Sequence, residues 1–238
     1  MLRLRIPLGR ALFFATAFLC CALALLPLRF ALDLFGFQQS GITARAVDGA
    51  IWQGVLREAR FGRIAAGDLS ARLRLLPLLL GQSRIDFETL SRSTPLRGSL
   101  SVSREGFGVH DLTGTLPLAG TLPGLALGAL EANDFSVAFA NGACGSATGL
   151  VSATIRASAA MPFAGRMAGT ARCDRGALLL PLAGQSGVER LNLRVYPDGA
   201  YRAELIIRGG DATLAQPFAA AGFTQSEEGY VRRFDGRF

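Results

Sequence analysis

Residues 69–76, LSARLRLL, carry the pattern that decides the fold. Apolar side chains take every second position, at Leu69, Ala71 and Leu73, and polar side chains stand between them. Side chains of a β-strand point alternately to its two faces, so a period of two is typical of a strand with one face in the core. Pro77 follows, and we expect the strand to stop there.

A hairpin is expected just before this strand. Residues 42–47 and 50–54 have strand-like composition and flank Asp48-Gly49, a dipeptide that favours tight hairpin turns. The chain has one tryptophan, Trp52, and we expect it to fill the core beside the turn. Further strands are predicted at 55–61 and 64–76, with breaks at Gly62 and at 65–68.

The same alternation continues to the C-terminus. Alternating segments occur at 85–90, 100–103, 135–139, 151–157 and 191–195, and further strands are expected at 201–207 and 229–238. Pro197-Asp198-Gly199 has the residue types of a tight turn and predicts a second hairpin. Residues 122–130 are expected to form a loop or strand, and residues 214–221 a short helix. Because helices to cover the sheet are scarce, we expect an all-β domain: one elongated, twisted, mainly antiparallel sheet, curled over its own apolar face.

The N-terminus carries a different signal. Residues 11–28 form an uncharged apolar run that would span about 27 Å as a helix, close to the thickness of a bilayer core. Arg3, Arg5 and Arg10 precede it, and positive flanks favour the cytoplasmic side. The predicted organisation is a cytoplasmic tip at 1–10, one transmembrane helix at 11–28, a membrane-proximal stem at 29–40 and an exported β-rich domain at 41–238.

Other interpretations of this run exist. Ala22-Leu23-Ala24 fits a signal-peptide cleavage site after Ala24, but the apolar run is longer than a typical signal core. A lipoprotein would use Cys20 or Cys21, but the residues before them lack the small side chain normally needed there. A buried core helix is the remaining alternative, and the arginine-rich start argues against it.

Charge and composition exclude several functional classes. The net charge is +7, but the arginines are interleaved with acidic and apolar residues along the apparent strands. No nucleic-acid-binding signature accompanies them, so we expect no nucleic-acid partner. Hydrophobic residues make up 50 % of the chain, which excludes wholesale disorder.

Two cysteines lie beyond the apolar run, Cys144 and Cys173. Their spacing fits neither a redox CxxC motif nor a zinc ligand set, and the chain has a single histidine, His110. In an exported domain such a pair predicts one disulfide, worth about 3 to 4 kcal/mol on the chain-entropy model. The alternative is two unpaired buried thiols.

The sequence offers little catalytic chemistry. Residues 184–187, GQSG, have the wrong spacing for a nucleophile elbow, and no glycine-rich loop opens a helix for phosphate binding. A lone histidine in a strand-rich stretch is more often a structural residue than a base. We therefore expect a protein that is not an enzyme and binds no metal or cofactor; an exported hydrolase has almost no residues in its favour.

Two short motifs carry a resemblance to a known family. Residues 48–54, DGAIWQG, and 73–81, LRLLPLLLG, resemble the paired signature of the type II secretion system protein N family, often called GspN. In that family a G-T-[LI]-W-x-G segment precedes a strand ending in P-x-x-L-L-x-G. Ala50 stands where threonine is usual, and Leu73 where tryptophan often occurs.

The resemblance implies a function and a location. Such proteins have a short cytoplasmic tip, one membrane helix, a β-rich periplasmic domain and a cysteine pair in the second half. The implied role is a scaffold or assembly component in the inner membrane, with other secretion subunits as partners and Trp52, Leu78, Leu79 and Leu80 as candidate contacts. The alternative is a periplasmic hydrophobic-groove protein that binds or transfers lipid.

Overall fold

The structure is a computed structural model that describes residues 8–25, 27, 42–50, 52–62, 64–74, 77, 81–91, 93–118, 127–157, 164–209 and 215–237. The stem at 29–40 and the apolar residues Leu78, Leu79 and Leu80 lie outside the described residues, as does most of the tip at 1–10.

Sixteen strands form one sheet in the described part of the chain. The elements are α1 Leu8–Ala24, β1 Ile42–Thr43, β2 Ala46–Ala50, β3 Gln53–Phe61, β4 Ile64–Arg74, β5 Ser83–Thr89, β6 Leu96–Val102, β7 Gly106–Pro117, β8 Leu127–Ala140, β9 Ala143–Ile155, β10 Gly165–Thr170, β11 Arg172–Asp174, β12 Ala177–Gly184, β13 Glu189–Val195, β14 Ala200–Ile207, α2 Ala215–Ala220, β15 Thr224–Ser226 and β16 Gly229–Arg237.

The sheet is an antiparallel meander. From β3 to β10 each strand pairs with the next along the chain, and the order continues through β12, β13, β14 and β16 to β15. Strands β1 and β2 both pair with the same edge of β3. Likewise, β10 and β11 both pair with the same edge of β12. The described strands leave the sheet unclosed, so the expected all-β, mainly antiparallel, curled sheet is confirmed.

One face of the sheet forms the core. Leu182 of β12, Leu191 of β13 and Leu205 of β14 lie opposite one another in the strand register, and each is 0 % exposed. The same core cluster takes in residues from β3 to β16 and from α2, including Leu69, Ala71 and Leu73 of the alternating segment. The sheet curls so that its apolar face packs mainly against itself.

Bulges bend the strands where the curl is formed. The register shifts at Glu58 on β3, near Asp111 on β7 and near Asp134 on β8, and these residues have φ values of 50°, 53° and 49°. An inserted residue locally bends a strand and increases its twist. Gly149 of β9 faces the β8 bulge with φ +102°, and a Cβ there would lie 2.5 Å from the backbone oxygen of Asp134.

Two local expectations were wrong. Asp48-Gly49 lies inside β2, paired with Val55 and Gly54, and the hairpin turns instead between Ala50 and Gln53. The longer hairpin keeps Asp48, Gly49 and Ala50 in the backbone ladder with β3, and a turn at Asp48-Gly49 would lose these pairs. Likewise β4 runs unbroken through 65–68, because Gly67 takes φ +78° and stays in the ladder opposite Ala59.

Helix α1 begins three residues before the predicted membrane segment and contains 17 residues. Among the described residues, no helix combines the length and the apolar character needed to cross a bilayer. The short helix α2 lies within the predicted 214–221, and the turn at 197–199 joins β13 to β14 as expected.

The leucine column provides a test of the core. Leu205→Ala is expected to lower the free energy of unfolding by about 2 to 5 kcal/mol, because it leaves a cavity among fully buried neighbours. Leu150→Ala is the matched control, since Leu150 is 50 % exposed, and we expect a change within about 0.5 kcal/mol. Urea unfolding of the full-length protein in detergent measures both, and equal losses would contradict this core.

Candidate interaction surfaces

A cleft on the polar face of the sheet is the principal candidate site. It has a volume of about 410 Å³ and lies across β4 to β8, on the side opposite the core. Its floor follows the strand register, in which Arg72 of β4 is opposite Asp86 of β5, and Asp86 is opposite Ser99 of β6. We call this feature the outer cleft.

Ion pairs hold the floor of the outer cleft together. The Arg74 guanidinium donates to Asp86 Oδ2 at 2.6 Å. Arg84 donates from Nε to Ser99 Oγ at 3.0 Å and from Nη2 to Asp111 Oδ2 at 3.2 Å. These contacts join strands β4 to β7 and fix two of the arginines that line the cleft.

The bulges on β7 and β8 shape one wall of the cleft. The backbone N–H of Asp111 donates to Ser136 Oγ at 2.9 Å, and that of Asp134 donates to Thr113 Oγ1 at 3.3 Å. Aspartate tolerates the left-handed conformation better than most residues, so it suits a bulge. Both carboxylates consequently face the cleft and not the ladder.

Other groups in the outer cleft are unsatisfied. The side chains of Arg72 and Arg97 form no hydrogen bond or ion pair with described residues, although both line the cleft. Asp86 Oδ1 is buried and, in the described part of the chain, has no hydrogen-bond partner. Glu88 also lines the cleft, opposite Arg97 in the register.

His110 lies beside the cleft. Its Nε2 is 2.7 Å from Ser101 Oγ on the neighbouring strand. Burial lowers the pKa of His110 below its usual 6.5, and the positive charge of Arg84 lowers this pKa further. The negative charge of Asp111 acts in the opposite direction and raises it. No further described side chain binds this pair, so it lacks the third group that would orient the imidazole of a hydrolytic triad.

The cysteines are paired. Cys144 at the start of β9 and Cys173 in β11 form a disulfide, with their Cα atoms 5.6 Å apart. The backbone N–H of Cys144 also donates a hydrogen bond to the carbonyl oxygen of Gly176 at 2.8 Å. On the other side, Arg194 of β13 donates to Asp174 at 2.8 Å, which lowers the pKa of that carboxyl group. The disulfide thus links β11 to β9, and the ion pair links it to β13.

The predicted partner contacts are placed only in part. Trp52 is half-buried at the first hairpin turn and packs against the core. Leu78, Leu79 and Leu80 lie outside the described residues; β4 ends and β5 begins at the same end of the sheet as the first hairpin turn. An isolated bridge joins Pro27, shortly after α1, to Ala50 of this hairpin.

The lipid-groove hypothesis finds no support in the described residues. The apolar face of the sheet is packed into the core. The outer cleft is lined mainly by charged and hydroxyl side chains, and a smaller cavity beside β10 and β12 is lined by Arg166, Ser186 and Glu189 among others. In the same part of the chain, no three potential ligands are grouped to hold a metal ion.

The outer cleft was not predicted from the sequence. In the sequence, Arg72, Arg74 and Arg84 are arginines interleaved with acidic and apolar residues along the apparent strands. The available signal was that arginines alternate with apolar residues in 70–74, and that residues of both charge signs do so in 84–88. The strand register is needed to show that these charged side chains converge. The bulges are needed to show that this face of the sheet is concave.

The fold and these surfaces define the chain as a single-sheet, all-β protein with a polar outer cleft. Comparison with known proteins assigns the chain to a family. The profile of the family described as "Type II secretion system (T2SS), protein N" matches residues 40–233. The chain belongs to this family, which indicates a component of the secretion system.

A curated relative supports the assignment. "Type II secretion system protein N" of Vibrio cholerae serotype O1 is 28 % identical over 213 residues, covering 82 % of this chain and 83 % of the relative. No solved structure matches this chain. The resemblance drawn from residues 48–54 and 73–81 is thus confirmed at the level of the family.

Removing the disulfide tests its contribution. Cys144→Ser with Cys173→Ser is expected to lower the free energy of unfolding by about 3 kcal/mol, because the unfolded chain regains loop entropy. Cys21→Ser is the control, since Cys21 is a free, exposed thiol. Urea unfolding without reductant measures both, and an unchanged midpoint for the double variant would refute a stabilising disulfide.

His110 predicts a pH dependence of stability. Because its folded pKa is lowered, the unfolded state binds the proton first as pH falls through about 6.5, and folded stability is lost on the acid side. His110→Gln should remove this part of the slope completely, since the chain has one histidine. Urea midpoints from pH 7.5 to 5 measure it, and parallel profiles for both proteins would contradict the shift.

Proposed function

We propose that the protein is a non-catalytic, inner-membrane component of the type II secretion system, with its β-rich domain in the periplasm. The observation that carries this proposal is the family match over residues 40–233, preceded by an apolar N-terminal helix. The domain would act as a scaffold that binds other inner-membrane subunits and supports assembly of the apparatus.

The exposure of α1 supports the proposed anchor. Its large apolar side chains are uncovered in the isolated chain: Leu12 is 70 % exposed, Phe13 68 %, Phe14 67 % and Phe18 75 %. Leaving them in water costs roughly 25 cal/mol per Å² of apolar surface, which a bilayer would recover. With Arg3, Arg5 and Arg10 on the cytoplasmic side, one crossing would place the sheet in the periplasm.

The first hairpin is the proposed partner contact. The bridge between Pro27 and Ala50 places the hairpin turn close to the end of α1, so the turn would lie near the membrane surface. Trp52 at this turn and Leu78, Leu79 and Leu80 in the β4–β5 connection would there meet other subunits embedded in the same membrane. The proposed contact is apolar, as interface cores commonly are.

The polar face supports a binding role over a catalytic one. Its charges are organised as cross-strand pairs, and the Ser101–His110 pair has no orienting carboxylate among the described residues. A non-catalytic scaffold requires only stable surfaces, which a wide sheet provides.

In vivo photocrosslinking tests the scaffold. A photoreactive amino acid at exposed Gln53, beside Trp52, is expected to crosslink inner-membrane secretion subunits. Gln185 is the matched control, because it is also exposed but lies in the β12–β13 turn at the opposite end of the sheet. Recovery of only the uncrosslinked monomer from position 53 would overturn the proposal.

A topology measurement separates failure of the anchor from failure of the contact. A periplasm-active reporter after Phe238, with N-terminal sequencing of the mature product, should show an active reporter on an uncleaved, membrane-bound chain. Cleavage after Ala24 with release into the soluble fraction would eliminate the anchor, while leaving the crosslinking result to judge the contact separately.

A further inference from the structure

The sheet contains a gap between β9 and β11. Strand β10 pairs with β9 as far as Thr170, and the Ala171 N–H then donates to the carbonyl oxygen of Gly149 at 2.9 Å. Beyond that bond β11 pairs with β12, and it forms no ladder with β9 among the described strands. The two strands meet again at their tips, where the Cys144 N–H donates to the carbonyl oxygen of Gly176 at 2.8 Å. We call the gap between these two hydrogen bonds the notch.

Backbone groups of β11 point into the notch without a hydrogen bond across it. The turn at 175–176 has two residues, which makes Asp174 and Ala177 the hydrogen-bonded pair that closes this hairpin. The alternation of an antiparallel ladder then directs the N–H and C=O of Cys173 away from β12 and towards β9. Neither group forms a backbone hydrogen bond with a described residue of β9. Hydrogen bonds therefore close the notch only at its two ends.

The disulfide spans the notch where the ladder is missing. It joins Cys144 of β9 to Cys173 of β11, and both residues are partly exposed, which makes the bond accessible to a thiol. Exposed disulfides are those that exchange most readily with thiols. The bridge is thus a reactive covalent link between two strands that the ladder leaves apart.

Each of the two hairpins is complete without the disulfide. Ala140 pairs with Ala143 across the turn at 141–142, and the β11–β12 hairpin is closed by its own pair. Asp174 also has an ion pair with Arg194 of β13 at 2.8 Å, which holds β11 on the side of β12 and β13. Cutting the bridge therefore removes a link between the hairpins and no pair within either of them.

We propose that this disulfide is a redox-sensitive lock on the notch, opened by a dithiol. One thiolate of the dithiol attacks a sulfur of the bridge, the Cys144–Cys173 bond breaks, and a mixed disulfide forms as the other cysteine leaves as a thiolate. The second thiol of the reagent then attacks the mixed disulfide and releases the remaining cysteine. Two electrons and two protons pass from the dithiol to the protein, and the dithiol becomes a disulfide.

Reduction leaves the tip of the notch with one hydrogen bond, from Cys144 to Gly176. A single hydrogen bond at a strand tip opens by local fluctuation, so β11 can separate from β9 while the rest of the sheet stays paired. The bond from Ala171 to Gly149 still closes the inner end and keeps the two thiols near each other, so the lock can close again on oxidation. Opening uncovers two strand edges that the oxidised protein keeps closed to other chains.

Hydrogen exchange of the full-length protein in detergent tests the lock, with Cys20 and Cys21 replaced by serine so that the bridge is the only redox group. After reduction with dithiothreitol, we expect the Cys144 amide to exchange at least tenfold faster. The matched control is the Tyr196 amide, which donates to the carbonyl oxygen of Ala200 at 2.8 Å in the β13–β14 turn, at the same end of the sheet. It should change by less than twofold. Equal acceleration of both amides would show general loosening and overturn the proposal, and so would an unchanged Cys144 amide.

Two further measurements tie the result to this bond. Cys144→Ser with Cys173→Ser should give fast exchange at position 144 both with and without dithiothreitol, and reoxidation of the reduced parent should restore slow exchange. Reduction that requires a denaturant, or an opening that reoxidation does not reverse, would refute a lock and leave a purely structural bridge.

The lock depends only on contacts within the sheet and not on the proposed function. If crosslinks from Gln53 are absent while the Cys144 amide responds to reduction, the scaffold contact falls and the lock stands. If the crosslinks form and the amide does not respond, the lock alone falls.

Discussion

A single sheet has to bury one of its faces, and this constraint governs the described structure. The helix α2, whose six residues are described, is far too small to cover strands β3 to β16. The apolar face therefore packs against itself, and the leucine column of β12, β13 and β14 becomes fully buried. Curling depends on bulges, because a flat ladder cannot bend far enough. The buried core and the bulges therefore both follow from the need to cover the apolar face of one sheet.

The same bulges give the polar face its shape. A bend that closes the core on one side opens or deepens the surface on the other, and Asp111 and Asp134 lie at such bends. The outer cleft follows from the curl. Charged side chains that would be independently solvated on a flat sheet are brought to a common floor and form the pairs of Arg74 with Asp86 and Arg84 with Asp111.

Much of this fold could be predicted from the sequence, since period-two alternation is a local signal. It identified segments of β4, β5, β13 and β14 as well as the sheet class. It missed β7 and β12, whose apolar and polar residues do not alternate cleanly; in β12 the burial runs almost without interruption. It also misplaced the first turn, because the Asp-Gly signal is local, whereas the register that pairs Asp48 with Val55 is set across two strands. The cleft could not be predicted from the sequence, because it depends on which residues of separate strands become neighbours.

The order of the strands has a consequence for how the chain assembles. Each of the strands from β3 to β10 lies beside the strand made just before it, and the disulfide joins residues only 29 positions apart. Contacts between neighbours in sequence need little loop closure, so they form early. The sheet can therefore grow strand by strand from its N-terminal edge, as synthesis or translocation delivers the chain. Each new strand then covers the exposed edge of the one before, which protects a wide sheet from aggregation until its last strands arrive.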